Sequence, residues 1–220
     1  WAMGNNNNGQ FGDGTEQFSL FDPDNVSITP VQIQSGGVTS MAAGGEHSLF
    51  VKSDGSLWAM GSNFEGQLGD GTNRGKILPV QIESSDVASV TAGGSHSLYV
   101  KSDGSLWGMG ASGFGQLGDG SEFDSGNPFI HKITTPVEIE SSGVTNMAAG
   151  SEYSLFVKSD GSLWGMGDNR YGSLGDEIEA LDGTDSVPLR NTPGESIQAI
   201  AQVLIYNYAN NALSLKQSLS

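Results

Sequence analysis

Two histidines at matching places in a repeated sequence are the first candidates for chemistry. His47 begins HSLF, His96 begins HSLY, and Tyr153 stands at the corresponding place in YSLF. Catalysis or metal binding would require the imidazole nitrogens to converge with other ligands. Equivalent positions in successive repeats lie about one structural unit apart, and tyrosine replaces histidine in the third copy. We therefore expect a structural role, in which each histidine hydrogen-bonds a neighbouring loop.

Aspartates recur in glycine-rich loops with the sequence GQLGDGT or a variant of it. They are Asp13, Asp70, Asp119 and Asp176. Calcium takes about six to eight oxygen ligands, and a regular set of that size is not visible in these loops. Aspartate before glycine is common in turns because its carboxylate accepts hydrogen bonds from nearby backbone N–H groups. We expect no metal and no cofactor, with calcium binding in these loops as the alternative.

The sequence shows no pattern typical of an enzyme. No nucleophile and base stand at a recognisable spacing, and no pair of carboxylates stands out. The GQLGDG loop is rich in glycine, but it lacks the Lys and Ser/Thr of a phosphate-binding P-loop. We expect a protein without enzymatic activity, and an enzyme such as a lyase or hydrolase is the least favoured alternative.

The elements that carry these residues belong to a tandem repeat. Near-identical fifteen-residue segments occupy 47–61, 96–110 and 153–167, and the tryptophans that mark the register are Trp1, Trp58, Trp107 and Trp164. The chain opens in the middle of a copy, which is typical of a mature or trimmed product. The 220 residues form one repeat domain with units of approximately 1–57, 58–106, 107–163 and 164–220.

The last unit is divergent, as terminal repeats commonly are. Its histidine or tyrosine signature is lost, and VLIYNYANNALSLK at 203–216 is interpreted as a final hairpin with Asn210-Asn211 at the turn.

Each unit is predicted to contain about four short strands. Asp54-Gly55 lies between the β-rich runs SLFVK and SLWAM, so this pair is expected to supply the positive φ angles of a tight hairpin turn. Within SLFVK, Leu49 and Val51 point to one side and Phe50 to the other. Since both sides are apolar, both faces of the sheet should be covered. Sheets stacked face to face meet that requirement.

A tryptophan and a methionine recur two residues apart, on one side of a strand. The four pairs are Trp1 and Met3, Trp58 and Met60, Trp107 and Met109, and Trp164 and Met166. We expect them to fill the interface between successive sheets, where an aromatic ring buries roughly 150–250 Å². They are assigned to the structural core of the repeat.

Two insertions distinguish the longer units from the shorter one. They fall in one loop, at 16–29 and 122–135, and they are rich in large apolar side chains: Phe18, Leu20, Phe21, Phe123, Phe129 and Ile130. These side chains either cover the repeat domain or form an exposed patch at a partner interface, where aromatic residues are enriched. Together with His131 they are the candidate partner-binding residues. A repeat fold tolerates insertions on one face, which is often the binding face.

The formal charge of −16, from 9 basic and 25 acidic residues, would repel phosphate groups. Nucleic acid and an anionic membrane surface are therefore not expected as partners. No stretch approaches the roughly 20 apolar residues of a membrane-spanning helix. Cysteine is absent, which excludes disulfides and thiolate zinc sites.

The GQLGDGT loop, the AAGG segment, the HSL strand and the DGSLWxMG hairpin resemble the repeats of the regulator of chromosome condensation family over residues 1 to about 202. The resemblance implies an all-β fold, a β-propeller of four-stranded blades, usually seven, that serves as a protein-binding platform. About four blades fit in this chain, which makes it a partial ring, a small ring or part of an assembly. The acidity and the near-identical repeats resemble the bacterial members, which implies an extracellular or cell-surface location.

The function expected from the sequence is a macromolecular interaction module. A protein partner of unknown identity would bind through loops on one rim, and the negative charge would steer a basic or neutral partner. The alternative is a structural subunit, in which blade-to-blade contacts build a homo-oligomer or an extracellular filament.

Overall fold

The computed structural model describes residues 1–15, 26–120, 131–175 and 189–195, and all its regular structure there is β. The strands are β1 (Ala2–Asn5), β2 (Val26–Val31), β3 (Val38–Ala43), β4 (His47–Lys52), β5 (Leu57–Gly61), β6 (Lys76–Glu83), β7 (Val87–Ala92), β8 (His96–Lys101), β9 (Leu106–Ala111), β10 (Lys132–Glu140), β11 (Val144–Ala149), β12 (Tyr153–Lys158), β13 (Leu163–Asp168) and β14 (Leu189–Glu195). Within these ranges no helix could span a membrane.

The strands form four antiparallel sheets. β1 and β2 make a two-stranded sheet, and three four-stranded sheets follow with the orders β3-β4-β5-β6, β7-β8-β9-β10 and β11-β12-β13-β14. Neighbours in sequence are neighbours in each sheet, so every connection is local. The protein is an all-β arc of propeller blades, as the sequence predicts.

The sequence repeat and the sheet share a period but differ in phase. A sheet begins at Val38, Val87 or Val144, whereas the repeat units are counted from the tryptophans. The first and second strands of a sheet therefore come from one unit, and the third and fourth come from the next. The sequence period has no natural starting point, so only the hydrogen-bonding pattern reveals where a sheet begins.

The turn between the second and third strands follows from the Ser-Asp-Gly-Ser sequence. Lys52 N donates to Ser56 O at 3.0 Å, and the Asp54 carboxylate accepts from Ser56 N at 2.9 Å and from Ser56 Oγ at 2.6 Å. The expectation that both Asp and Gly adopt positive φ is wrong: φ is 79° at Gly55, and Asp86 is the only described residue other than glycine with positive φ. Aspartate stabilises the turn through its side chain instead.

Each complete sheet has two apolar faces that pack against different neighbours. Strand pairing places Leu49 beside Ala59 on one face and Phe50 beside Trp58 on the other. We call these the leucine face and the tryptophan face, and equivalent positions define them in the other sheets. In the first core cluster, Leu49, Val51 and Leu57 pack with Tyr99 and Met109 of the next sheet. A second cluster repeats this contact one sheet further on.

The repeated tryptophans lie at the edge of these cores. Trp58 is half-buried, stacks on Phe50 with 6.4 Å between ring centroids, and donates from Nε1 to Ser56 Oγ at 2.9 Å. Lys52 Nζ lies 4.3 Å from the Trp58 ring centroid. Trp107 and Trp164 repeat these contacts.

The methionines two residues later are buried at Met60, Met109 and Met166. Trp1 and Met3 differ from the expectation, because they are exposed. Among the described residues, none covers the face of β1 that carries these two side chains.

Candidate functional site

One edge of the stacked sheets carries two sets of loops, which together we call the loop rim. The first set joins the first and second strands (residues 44–46, 93–95 and 150–152), and the second set joins the third and fourth strands. They meet through backbone hydrogen bonds such as Ser62 N to Glu46 O at 2.9 Å. The Asp-Gly hairpins lie on the opposite edge, the turn rim.

The glycine-rich loops are held by a buried polar side chain at their centre. Asn63 accepts from Leu68 N at 2.9 Å and donates to the Asp70 carboxylate at 2.9 Å and to Thr72 O at 2.8 Å. Gly66, Gly69 and Gly71 have φ angles of 82°, 76° and 79°, which glycine adopts without steric cost. Asn6 organises the first loop in the same way.

The aspartates of these loops bind groups of the protein itself. Asp70 accepts from Thr72 N at 3.0 Å and Thr72 Oγ1 at 2.7 Å, and its second oxygen lies 2.9 Å from Lys76 Nζ. Partial burial would raise the pKa of Asp70, but the hydrogen bonds from Lys76 and Thr72 outweigh that effect and lower it. Within the described ranges, no three His, Asp or Glu side chains are grouped as metal ligands.

Aromatic side chains project from the loop rim where the repeats differ in sequence. Phe64 is 67% exposed and Tyr171 is 89% exposed. Phe114 is half-buried, and the Arg170 guanidinium carbon lies 5.1 Å from the centre of its ring. Such large apolar groups on well-held loops are typical of a protein interface.

Ion pairs fix the charged side chains around these aromatics. Arg170 donates to the Asp168 carboxylate at 2.6 Å and to Glu152 at 2.9 Å. Partial burial would raise the pKa of Asp168, but hydrogen bonds from Arg170 outweigh burial and lower it. Lys132 Nζ lies 3.1 Å from a Glu65 carboxylate oxygen and donates to Phe64 O at 2.9 Å.

A cavity of about 160 Å³ opens on the loop rim. Its wall includes Glu65, Ser95, Phe114, His131, Ser151 and Glu152. His131 Nε2 lies 3.0 Å from Asp119 Oδ2. The cavity combines an aromatic ring, hydroxyl groups and carboxylates, so it can accommodate a polar or cationic side chain of a partner.

His131 is thus the one predicted partner-binding residue within the described ranges, and it lines this cavity. Phe18, Leu20, Phe21, Phe123, Phe129 and Ile130 lie outside the described residues, as do Asp176 and the hairpin predicted at 203–216. In the sequence, both insertions lie between a third and a fourth strand, and their last residues, 26–29 and 132–135, belong to β2 and β10.

Phe64, Phe114, Arg170 and Tyr171 are rim residues that the sequence analysis missed. They stand at the two loop positions, just before the glycine of GQ or GS, whose residue types change from one repeat to the next: NN, FE, GF and RY. That variation between otherwise similar repeats was the available signal.

The histidines lie beneath the rim and link successive sheets. His47 Nε2 is 2.8 Å from Ser97 Oγ, which donates to Gln67 O at 2.8 Å. Because the serine proton is committed to the carbonyl, the histidine donates from Nε2. Burial of the ring favours its neutral form. His96 repeats the arrangement with Ser154 and Gln116 O at 2.9 and 2.8 Å. These contacts are structural, as predicted, but the direct partner is a strand serine of the next sheet, and the loop is reached only through that serine.

Burial lowers the pKa of His47 to about 4 and that of His96 to about 3. The Nδ1 atoms of both rings are buried and have no hydrogen-bond partner among the described residues. Gly44 and Gly93 lie against the two rings, so that an added Cβ would collide with them. The close packing leaves no space for a substrate at either ring.

Comparison with models of known protein families identifies the repeat. The family model "Regulator of chromosome condensation (RCC1) repeat" matches residues 1–51, 54–100 and 103–157, and a second model with the same description matches 38–67, 87–116 and 144–173. No curated protein matches the sequence significantly.

Solved structures share the fold. Human WBSCR16 is 27% identical with a TM-score of 0.65, and the match covers 87% of this chain and 45% of that one. Prp20p from Saccharomyces cerevisiae, in a study of its binding to Gsp1p and histones, is 21% identical with a TM-score of 0.63, covering 79% and 42%. Yeast RCC1 (Prp20) bound to Kap60 has a TM-score of 0.62 at 21% identity, covering 79% and 41%. The chain spans less than half the length of these structures.

Proposed function

Since the chain belongs to the regulator of chromosome condensation (RCC1) repeat family, we propose that it is a non-enzymatic interaction module that binds a protein partner through its loop rim. Prp20p, which shares the fold, is described as binding Gsp1p and histones, and also binds Kap60. These partners belong to that protein, and the partner of this chain is proposed only as a class.

The observation that carries the proposal is the pair of exposed aromatic side chains on the loop rim. Phe64 and Tyr171 present large apolar surfaces from loops that internal hydrogen bonds hold in place. Rigid aromatic groups lose little conformational entropy on binding and are enriched among interface hot spots.

The rim cavity adds a polar subsite next to these aromatics. Phe114 contributes an aromatic ring, while Glu65 and Glu152 contribute carboxylates. Within the protein, Arg170 already lies over Phe114 with its charge against Glu152. A partner's lysine or arginine side chain would compete with Arg170 for the Phe114 ring and the Glu152 carboxylate.

The overall charge of −16 supports a basic or neutral partner. Electrostatic attraction mainly raises the association rate, and salt weakens it. We expect the association rate of a basic partner to fall as the salt concentration rises, while the dissociation rate changes little.

Site-specific photo-crosslinking tests the position of the interface. A photoreactive amino acid placed at 64 or 171 should capture the partner, and the same amino acid at the exposed turn-rim positions 54 or 160 is the matched control. The double substitution of Phe64→Ser and Tyr171→Ser should weaken binding without lowering the melting temperature, since both side chains are exposed. Capture from the turn rim alone, or undiminished binding by the double variant, would refute the assignment.

A deletion of residues 16–25, the part of the insertion at 16–29 that precedes β2, tests whether the interface includes this insertion. If the insertion belongs to the interface, the shortened chain should fold and lose affinity for the partner that positions 64 and 171 capture. An unchanged affinity would confine the interface to the described loops.

A further inference from the structure

The rim cavity lies at a place that the following repeat fills with an arginine side chain. The loop sequences ASGFG at 111–115 and DNRYG at 168–172 stand at the same position in successive repeats, so Gly113 corresponds to Arg170. Gly113 lines the cavity, and as a glycine it places no side chain there. The cavity is therefore open where the following repeat carries a guanidinium group.

The surroundings of Arg170 show how this place holds a guanidinium. Arg170 Nε donates to the two oxygens of Asp168 at 3.0 and 2.8 Å, and a terminal nitrogen donates to Glu152 Oε2 at 2.9 Å. The guanidinium carbon lies 5.1 Å from the centre of the Phe114 ring, which belongs to a loop of the preceding sheet. The group is thus held by carboxylates of its own sheet and by the preceding loop.

The wall of the cavity is formed by the equivalents of these three residues. Counted one repeat earlier, the positions of Phe114, Glu152 and Asp168 are occupied by Glu65, Ser95 and Ala111, and all three line the cavity. The carboxylate is therefore supplied by the preceding loop and a hydroxyl group by the same sheet. The cavity keeps acceptors for a guanidinium, although they are arranged differently from those around Arg170.

Glu65 has the capacity to accept further hydrogen bonds. Its carboxylate oxygens lie 3.2 and 3.1 Å from Lys132 Nζ, and its side chain is 29% exposed. A carboxylate offers about four lone-pair sites, and one ammonium group that contacts both oxygens leaves others open. Ser95 and Ser151 add hydroxyl oxygens to the same wall.

The charges around the cavity favour a cation. Among the described residues in the wall or bonded to it, the cations Lys132 and Arg170 are outnumbered by four carboxylates: Glu65, Asp119, Glu152 and Asp168. His131 lies 3.0 Å from Asp119 and adds at most one positive charge. A guest with one positive charge reduces the imbalance, whereas an anionic guest would increase it.

The size and chemistry of the cavity suit one arginine side chain. Its volume of about 160 Å³ is smaller than the roughly 300–1,000 Å³ of pockets that enclose a whole small molecule. The planar fork of arginine matches a carboxylate better than the single ammonium of lysine does, and it has further donors for a hydroxyl group such as that of Ser95.

From this comparison of repeats we propose that the cavity binds an arginine side chain of the protein partner, at the place that Gly113 leaves open. The proposal rests on the proposed function, because it assigns the chemistry by which the loop rim recognises its partner. The guanidinium donates to Glu65 and Ser95, so it does not have to displace Arg170. Gly113 determines this specificity, since a long side chain there would fill the cavity.

NMR titration of the full chain with N-acetyl-argininamide tests the site without the partner. We expect the backbone amide signals of Ser95, Gly113 and Phe114 to shift, with a Kd in the millimolar range because one side chain makes few contacts. N-acetyl-citrullinamide, which is neutral and similar in shape, should leave these signals unchanged, and N-acetyl-lysinamide should bind more weakly. Equal binding of either control probe, or no response to the arginine probe, would overturn the proposal.

Substitutions at Gly113 test whether the open place is the binding site. Gly113→Arg fills the cavity from within, as Arg170 fills the equivalent place, and should abolish the shifts caused by the arginine probe. Gly113→Ala changes the same backbone position but leaves the cavity open, so it should still bind the probe. The other three repeats carry a side chain at this loop position, so both variants are expected to fold, which their melting temperatures verify.

Glu65→Gln provides an independent variant, because it removes the negative charge of a partly exposed side chain without changing its size. It should weaken binding of the arginine probe by about tenfold. Undiminished binding by this variant, or by Gly113→Arg, would refute the site.

The partner captured from positions 64 and 171 separates this proposal from the proposed function. Gly113→Arg should weaken binding of that partner by about tenfold or more, whereas Gly113→Ala should leave it unchanged. If capture succeeds and Gly113→Arg binds the partner as tightly as the wild type does, the inference fails and the loop rim remains the interface. Capture from the turn rim alone would overturn the proposed function, and the probe titration would still decide whether the cavity binds arginine.

Discussion

His47 Nε2 lies 2.8 Å from Ser97 Oγ, although the two residues belong to different sheets and are fifty positions apart in the chain. Ser97 Oγ in turn donates a hydrogen bond to the carbonyl oxygen of Gln67, which lies in a loop of the loop rim. The imidazole donates from Nε2, because the hydroxyl group has already committed its proton to the carbonyl, and burial of the ring favours its neutral form. Each link of this kind joins two sheets and one rim loop.

Acid should therefore weaken the fold before most carboxylates titrate. Burial lowers the pKa of His47 from 6.5 to about 4 and that of His96 to about 3. Their contribution to stability is complete above pH 6.5 and is lost as the pH falls toward 4, because the unfolded chain binds more protons in that range. For His47 the shift corresponds to roughly 3 kcal/mol. Urea unfolding at a series of pH values measures this slope.

The control for this pH dependence is His96→Tyr, which adopts the residue that the third repeat uses at Tyr153. The variant should show a shallower loss of stability between pH 6.5 and 4 than the wild type. An equally steep slope would mean that other groups titrate there.

Ser97→Ala should destabilise the protein by about 1–3 kcal/mol, because it leaves the His47 N–H and the Gln67 carbonyl buried without partners. Ser48 is the matched control. It occupies the same place in the preceding sheet, and no described residue hydrogen-bonds its side chain. Ser48→Ala should change the free energy of unfolding by less than about 0.5 kcal/mol. Equal losses in the two variants would show that the link contributes nothing.

Gln34→Glu should stabilise the junction between the first two sheets slightly. Lys101 and Lys158 lie 3.4 and 3.1 Å from Glu83 and Glu140, whereas Lys52 has Gln34 at the equivalent place. An exposed ion pair contributes about 0.2–1 kcal/mol, and salt screens it. Gln32→Glu, two residues away on exposed backbone, is the control and should give no gain. The melting temperature of both variants at low and high salt provides the measurement.

Calcium should leave the protein unaffected, since the loop carboxylates already bind backbone, hydroxyl and ammonium groups. Asp70 in particular is held by Thr72 and Lys76. We expect no change in melting temperature when calcium or a chelator is added, and no retention of calcium in equilibrium dialysis. A rise in melting temperature with calcium would place a metal in these loops.

The repeated side chains explain why the fold could be predicted from the sequence. The alternation of Leu49, Phe50 and Val51 predicts a sheet with two covered faces, and all three are buried. The recurring Ser-Asp-Gly-Ser predicts the hairpin, although only Gly55 needs positive φ. Local sequence is sufficient for these features because they depend on neighbouring residues along the chain.

Features that depend on a distant neighbour could not be predicted in this way. Met3 and Met60 stand in the same local sequence, yet Met3 is exposed and Met60 is buried, because among the described residues only Met60 has a sheet packed against it. The hydrogen-bond partner of His47 could not be predicted either, because nothing in the sequence around Ser97 indicates that it contacts a histidine of the preceding sheet. Phe64 and Tyr171 gained their significance only when the loops were placed on one rim.

The phase difference between repeat and sheet has a consequence for how the chain can change its length. Each sheet takes its first two strands from one unit and its last two strands from the next, so every sheet joins two successive units. Gene duplication or deletion could add or remove one whole unit and leave every other sheet intact. The two breakpoints would need only to lie at equivalent positions of two units. Adding or removing part of a unit would instead leave one sheet incomplete. The length of the chain is therefore expected to change by whole units.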